Sequence, residues 1–87
     1  MSEPLTTEVT VQDQRGLHMR VATEITRASR AFTAQIRIHA GSRVADAKSP
    51  LSMLSLSAPC GTKLRITADG DDAAEALRSL EALLSTP

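Results

Sequence analysis

Residues 5–30 have the sequence LTTEVTVQDQRGLHMRVATEITRASR, and the spacing of the apolar residues changes partway along it. At first, β-branched and apolar residues alternate with polar ones, which predicts a β-strand over residues 5–12. Later the apolar spacing becomes three and four, which predicts an amphipathic helix over about residues 19–30. The polar residues 13–16 predict a turn between them. The stretch therefore leads from a strand through a turn into a helix.

The predicted start of this helix holds a histidine, His18, and an arginine, Arg20. A helix N-terminus offers unpaired N–H groups and the positive end of the helix dipole, and it binds anions such as phosphate. The expected N-cap position has no Ser, Thr, Asp or Asn to occupy these donors. The combination suggests a histidine that carries a phosphoryl group, and from spacing alone a plain surface histidine is the alternative.

The remainder of the chain predicts three further strands and two further helices. The strands span residues 34–40, 43–47 and 62–68, and a tight hairpin at Gly41-Ser42 joins the first two. A short helix begins at Ser49-Pro50 and ends by residues 59–61. Serine is a preferred N-cap and proline a preferred first helical residue.

The last helix completes the pattern and runs to about Ser85. Asp72 and Glu75 predict a capping box at its start. The element order is therefore βαββαβα. Strands that alternate apolar and polar residues have one buried face and one wet face. These features predict an α+β fold, an open-faced β-sandwich with the helices on one face of the sheet.

Composition narrows the function classes. The 87 residues suffice for a single domain, residues 1–87, with a modest aliphatic core. Ten Lys and Arg balance ten Asp and Glu, and Phe32 is the one aromatic residue, so we expect no nucleic-acid partner. We also expect no membrane span and no secretory signal. With the single Cys60, these features favour a cytoplasmic location.

Several other polar residues are expected to have no functional role. His39 lies on the outward side of a predicted strand and is expected to be solvated. Cys60 is expected to be a loop thiol. His18, His39 and Cys60 lie on three separate elements without metal-ligand spacing, so no metal site is expected. Arg30 fits an ordinary solvated helix face.

A partner-binding surface is expected beside the histidine. Arg27 could be merely solvated, but on the same side as the histidine it would attract acidic partners. The short helix is more apolar than the core needs, so its leucines are either core or a docking patch. The residues assigned to this surface are Met19, Val21, Arg27, Leu51 and Leu54.

Three separated motifs resemble those of a known family. The motif G-[LI]-H-x-R-P-A is matched at residues 16–22, GLHMRVA. K-S followed by an apolar helix ending in S-L is matched at residues 48–56, KSPLSMLSL. G-x-x-[LI]-x-[IL]-x-A-x-G-x-D-A is matched at residues 61–73. Over nearly its whole length the chain resembles HPr, the histidine phosphocarrier family of the bacterial phosphoenolpyruvate-dependent sugar phosphotransferase system.

The resemblance implies a four-stranded antiparallel sheet with three helices on one face. It implies that His18 accepts a phosphoryl group on Nδ1 from phosphorylated enzyme I and passes it to enzyme IIA domains, with Arg20 assisting the phosphate. Ser49 matches the serine that an HPr kinase phosphorylates in many bacteria. The family implies a phosphocarrier rather than an enzyme, without a cofactor, and we expect a monomer.

Two differences from the family pattern leave a second function class open. Val21 stands where the family has proline, and Pro50 follows Ser49 where the family usually has an aliphatic residue. The alternative to a phosphoryl carrier is a non-catalytic or nitrogen-branch regulatory module that acts by docking alone. The presence of both His18 and Arg20 favours the carrier.

Overall fold

The computed structural model describes residues 3–85. Its elements follow in the predicted order: β1 Leu5–Thr10, α1 Met19–Arg30, β2 Gln35–Ala40, β3 Arg43–Asp46, α2 Pro50–Leu54, β4 Lys63–Asp69 and α3 Ala73–Leu84. The predicted βαββαβα order is confirmed. No helix within this part of the chain combines the length and the apolar character that crossing a membrane requires.

The strands form one antiparallel sheet in the order β1-β4-β2-β3. The long β4 is central and pairs with both β1 and β2. In the β2–β3 hairpin Ala40 pairs with Arg43, which leaves Gly41 and Ser42 as the two-residue turn. Gly41 has φ +62°, a conformation that glycine adopts without steric cost. The predicted sheet and its hairpin are confirmed.

The sheet buries one face and exposes the other. Along β2 and β4 the side chains of one face are buried, except for the half-buried Ala40 at the end of β2, and the residues between them are exposed or half-buried. The helices cover the buried face with aliphatic stripes, because their apolar residues recur at three- and four-residue spacing. The largest buried core side chains are Ile25, Ile36, Ile38, Met53, Leu64, Ile66 and Leu80. This is the predicted open-faced α+β sandwich.

Two elements, β1 and α2, are shorter than the sequence predicted by two residues or more. β1 ends at Thr10, although Val11 still donates its N–H to the Thr62 carbonyl and accepts from the Gly61 N–H, each at 2.9 Å. Val11 thus stays buried and paired outside the regular strand. The helix α2 ends at Leu54, and the chain then turns through Ser57 at φ +50°.

The predicted capping box of the last helix is wrong. Asp72 is the N-cap of α3, but its side chain makes no capping hydrogen bond. Its two carboxylate oxygens instead accept from the backbone N–H groups of Thr33 and Ala34, each at 2.8 Å. These donors lie between α1 and β2, and folding brings them to the carboxylate. The bond from Thr33 is the main cause that lowers the pKa of Asp72.

Candidate functional site

The loop before α1 is fixed from both sides. Its own turn closes where the Gly16 N–H donates to the Asp13 carbonyl at 2.9 Å. The next residue, Leu17, is buried in the core, and its N–H donates to the Ala58 carbonyl at 2.8 Å. The loop between α2 and β4 therefore supports the loop that presents His18.

His18 is the N-cap residue of α1 and lies in the extended conformation, with φ −88° and ψ 179°. It makes no side-chain capping bond, and the first turn contains no acidic residue. The first intrahelical bond runs from the Ala22 N–H to the His18 carbonyl at 2.9 Å. The N–H groups of Met19, Arg20 and Val21 precede it and are unpaired by geometry. The predicted uncapped helix start is confirmed.

A carboxylate, that of Asp13, lies at the centre of the site, where the sequence pattern predicts only a turn. The Oδ2 atom of Asp13 lies 3.2 Å from Nε2 of His18 and 3.6 Å from Nη2 of Arg20. Its Oδ1 atom accepts from the Arg15 N–H at 2.9 Å. Asp13 thus brings together the two residues that the sequence predicted for the site, His18 and Arg20.

The two nitrogens of the His18 ring have different surroundings. Nε2 faces Asp13, whereas Nδ1 has no hydrogen-bond partner among residues 3–85. The His18 side chain is 22% exposed and that of Asp13 19%, so both are largely covered by the protein. The hydrogen bond from Arg15, followed by that from His18, lowers the pKa of Asp13 despite partial desolvation. Asp13 is therefore ionised at neutral pH.

Arg20 borders a cleft that opens next to its ion pair with Asp13. The cleft has a volume of about 240 Å³ and runs between the start of α1 and the end of α3. The Arg20 side chain is 66% exposed. Its guanidinium is thus anchored on one side by Asp13 and accessible on the other, and it can bind an anion placed at the helix start.

The predicted partner-binding residues divide into two groups. Met19 and Leu51 are exposed by 52% and 76%, and Arg27 is exposed as well. Val21 and Leu54 are half-buried and pack against the core. The sequence did not decide whether Leu51 and Leu54 belong to the core or to a docking patch. In the structure the Leu51 side chain is exposed to solvent. The exposed set lies on α1 and α2, which pack against each other.

Ser49 has the predicted N-cap geometry. Its Oγ accepts from the Ser52 N–H at 3.2 Å, and Pro50 occupies the first helical position. The neighbouring Lys48 carbonyl accepts from Arg30 at 3.2 Å, so Arg30 contacts the loop that leads into α2. Ser49 is half-buried.

The remaining candidates lie outside this site. His39 is half-buried and hydrogen-bonds the Thr67 hydroxyl at 3.3 Å, so the expectation of simple solvation is wrong. Its desolvation, with the charges of Arg65 and Arg37, lowers the pKa of His39. Cys60 is an exposed loop thiol, as predicted. Within residues 3–85 no group of three or more His, Cys, Asp or Glu side chains is arranged for a metal ion.

Comparison with known proteins supports the sequence motifs. The family described as "PTS HPr component phosphorylation site" matches residues 5–86. Phosphocarrier protein HPr of Haemophilus influenzae is 35% identical over 79 residues, which are 91% of this chain and 93% of that protein. A multiphosphoryl transfer protein of Xanthomonas campestris is also 35% identical over 79 residues, but these form only 9% of its length.

The architecture agrees with solved structures. The crystal structure of phosphocarrier protein HPr from Bacillus anthracis superposes with a TM-score of 0.89 and 31% sequence identity, covering 95% of this chain and 99% of that chain. The likeness thus extends through both sequence and overall fold. The chain belongs to the HPr family of phosphocarrier proteins of the phosphotransferase system.

Proposed function

We propose that His18 is the residue on which this phosphocarrier holds the phosphoryl group, bonded through Nδ1. The observation that supports this most directly is the asymmetry of the ring, in which Nε2 faces Asp13 and Nδ1 has no hydrogen-bond partner in the described part of the chain. Neutral imidazole is a nucleophile through its unprotonated nitrogen. A proton held at Nε2 leaves the Nδ1 lone pair free to attack phosphorus.

The surroundings of Nδ1 suit a phosphoryl group. The unpaired N–H groups of the first turn of α1 can donate hydrogen bonds to an anion, and no acidic residue in that turn opposes it. The guanidinium of Arg20 supplies a second, charged donor that remains accessible. Arg20 therefore stabilises the phosphoryl group during transfer.

The donor and acceptor that we propose are phosphorylated enzyme I and enzyme IIA domains. The exposed apolar side chains of Met19 and Leu51 supply contact area, and Arg27 supplies positive charge for acidic partners. Val21 and Leu54 support this surface from below, since each packs against the core. The protein works with these partners and is not itself an enzyme.

The proposed setting is the cytoplasm, which suits an exposed thiol such as Cys60. We propose further that an HPr kinase phosphorylates Ser49. A phosphate there would place negative charge at the start of α2, beside the proposed docking surface, and would slow exchange with enzyme I.

The experiment compares the parent protein with His18→Ala after incubation with enzyme I and phosphoenolpyruvate. Intact mass should show one added phosphoryl group on the parent, labile in acid and stable in base, and none on the variant. His18 is half-buried at the helix end and makes no side-chain cap. The variant should therefore keep the fold of the parent, which circular dichroism checks.

The second histidine provides the matched control. His39→Ala should take up the phosphoryl group like the parent, because His39 lies on the sheet away from α1. A phosphoryl group that is still added to His18→Ala would refute the assignment of the phosphoacceptor. If the parent protein binds enzyme I but gains no phosphoryl group, the alternative function is favoured, which is a module that acts by docking alone.

A further inference from the structure

We propose that Asp13 is a positioning residue that sets the tautomer of His18 and stabilises the ring cation formed during transfer. The inference rests on the proposed function of His18. It concerns the contact between Oδ2 of Asp13 and Nε2 of His18, 3.2 Å apart.

The position of the Asp13 carboxylate is fixed independently of the histidine. Oδ1 accepts from the Arg15 N–H at 2.9 Å, which closes a short turn two residues ahead. Oδ2 is then directed to Nε2 of His18, with Arg20 at 3.6 Å on its other side. Each oxygen has its own partner, so the carboxylate has one preferred orientation.

An ionised carboxylate can only accept hydrogen bonds. The nitrogen that faces it must therefore carry the ring proton, and in neutral His18 this nitrogen is Nε2. The Nδ1 lone pair is left unprotonated and directed away from Asp13. A carboxylate that holds an imidazole in one tautomer plays this part in catalytic triads and in metal-bound histidines.

The same contact acts during the transfer step. The Nδ1 lone pair forms a bond to phosphorus while the bond between phosphorus and the donor breaks, and that electron pair leaves with the donor. The ring keeps its proton at Nε2 and so gains one positive charge. Asp13 lies against the protonated nitrogen and stabilises this charge in the phosphorylated form.

An amide at position 13 tests this inference because it keeps one acceptor oxygen and replaces the other by a hydrogen-bond donor. In Asp13→Asn the amide oxygen is still needed by the Arg15 N–H, so the NH₂ group is turned to Nε2 of His18. An NH₂ group donates and needs an unprotonated Nε2, which moves the ring proton to Nδ1 and blocks the nucleophile. Asp13→Ala removes the partner and leaves the ring with both neutral tautomers.

The measurement is the ¹⁵N NMR spectrum of histidine-labelled protein at a pH where the rings are neutral. We expect the Nε2–H tautomer in the parent, a mixture in Asp13→Ala and the Nδ1–H tautomer in Asp13→Asn. His39 is an internal reference whose signals should stay constant. Asp46→Asn is the matched control, since Asp46 accepts from the Lys48 N–H at 2.9 Å in the same kind of turn but has no histidine beside it.

Transfer from enzyme I gives the second readout. Asp13→Asn should slow transfer by about 10–100-fold, as changes to such orienting partners do, and Asp13→Ala should slow it less. A purely structural role predicts the opposite order, because alanine loses the turn bond to Arg15 that asparagine keeps. The inference would be overturned if the tautomer is unchanged in Asp13→Asn, or if Asp13→Ala transfers the phosphoryl group more slowly than Asp13→Asn.

The tautomer is measured without any phosphoryl donor, so the inference and the proposed function can fail separately. If the parent takes up no phosphoryl group, the proposed function is refuted, and the part of the inference that concerns transfer is refuted with it. The spectrum of Asp13→Asn still decides whether Asp13 sets the ring proton.

Discussion

Gly16 packs so closely against Ala58 that a Cβ atom at Gly16 would lie 2.6 Å from the Ala58 carbonyl oxygen. The same atom would approach the Cα of Pro59 to 2.9 Å. Gly16 also has φ +75°, which side-chain-bearing residues rarely adopt. The glycine thus allows the loop that presents His18 to contact the loop between α2 and β4.

This contact predicts that Gly16→Ala destabilises the protein strongly. Left-handed backbone alone costs a residue such as alanine about 1–2 kcal/mol, and crowding adds about 1–3 kcal/mol. Gly41 is the matched control, because it has φ +62° and no atom of residues 3–85, apart from its own and those of its chain neighbours, lies within 4 Å of the place that an alanine methyl group would take. Gly41→Ala should lose the backbone contribution alone. Urea unfolding that gives equal losses for both variants would show that the contact with Ala58 is unimportant.

Arg20→Ala should affect transfer more than stability. The side chain is 66% exposed and contacts Asp13 at 3.6 Å, so its removal leaves the core intact. Loss of a charge-assisted bond to the phosphoryl group should slow transfer from enzyme I by about 10–100-fold. Arg78→Ala, on an exposed position of α3, is the control and should transfer at the parent rate. Equal rates for both variants would remove Arg20 from the site.

Phosphorylation of His18 should act as a reversible helix cap. The N–H groups of Met19, Arg20 and Val21 would donate to phosphate oxygens. The negative charge of the phosphate would also lie at the positive end of the helix dipole. Amide hydrogen exchange of the parent, with and without the phosphoryl group, should slow in this turn and stay unchanged in α3. Unchanged or faster exchange at the start of α1 would mean that side chains alone hold the phosphate.

Ser49 should have a structural and a regulatory effect that two substitutions separate. Ser49→Ala removes the bond from the Ser52 N–H and should cost about 0.5–2 kcal/mol of unfolding free energy. Ser49→Asp keeps a capping acceptor and adds negative charge, so it should bind enzyme I more weakly than the parent. Ser42→Asp adds the same charge at the exposed β2–β3 turn and should bind normally. If the two aspartate variants bind alike, charge at Ser49 has no regulatory effect.

Asp72 should contribute a pH-dependent part of the stability. Its ionised carboxylate accepts from Thr33 and Ala34, and these bonds hold its pKa below the ordinary value. This stabilisation is full above the unfolded-state pKa of about 3.9 and is lost as pH falls through the lower folded-state pKa. Asp72→Asn, with a single acceptor oxygen, should lower Tm by several degrees at neutral pH.

The difference in Tm between the parent and Asp72→Asn should shrink in acid, below about pH 4. Thermal unfolding across that range measures it. Asp71→Asn is the matched control, because Asp71 is an exposed neighbour in the same turn. A difference that stays constant with pH would show that the charge of Asp72 is not responsible.

The sequence alone determined the element order and both faces of the sheet. Periodicity is a local property: residues such as Ile36 and Ile38 share a face because successive side chains of a strand point to opposite sides. Helix-end chemistry is local too, so the N-cap role of Ser49 and the uncapped start of α1 at His18 were both predicted correctly. Each depends on atoms within four residues along the chain.

Tertiary structure decided which distant groups meet. Asp72 sits where a capping residue belongs, yet it binds Thr33 and Ala34, because folding brings two backbone donors to its carboxylate. Asp13 looked like an ordinary turn residue, and its contact with His18 depends on how the loop turns back towards the helix start. A carboxylate accepts from whichever donors lie within about 3 Å, and that distance is set by packing rather than by spacing along the chain.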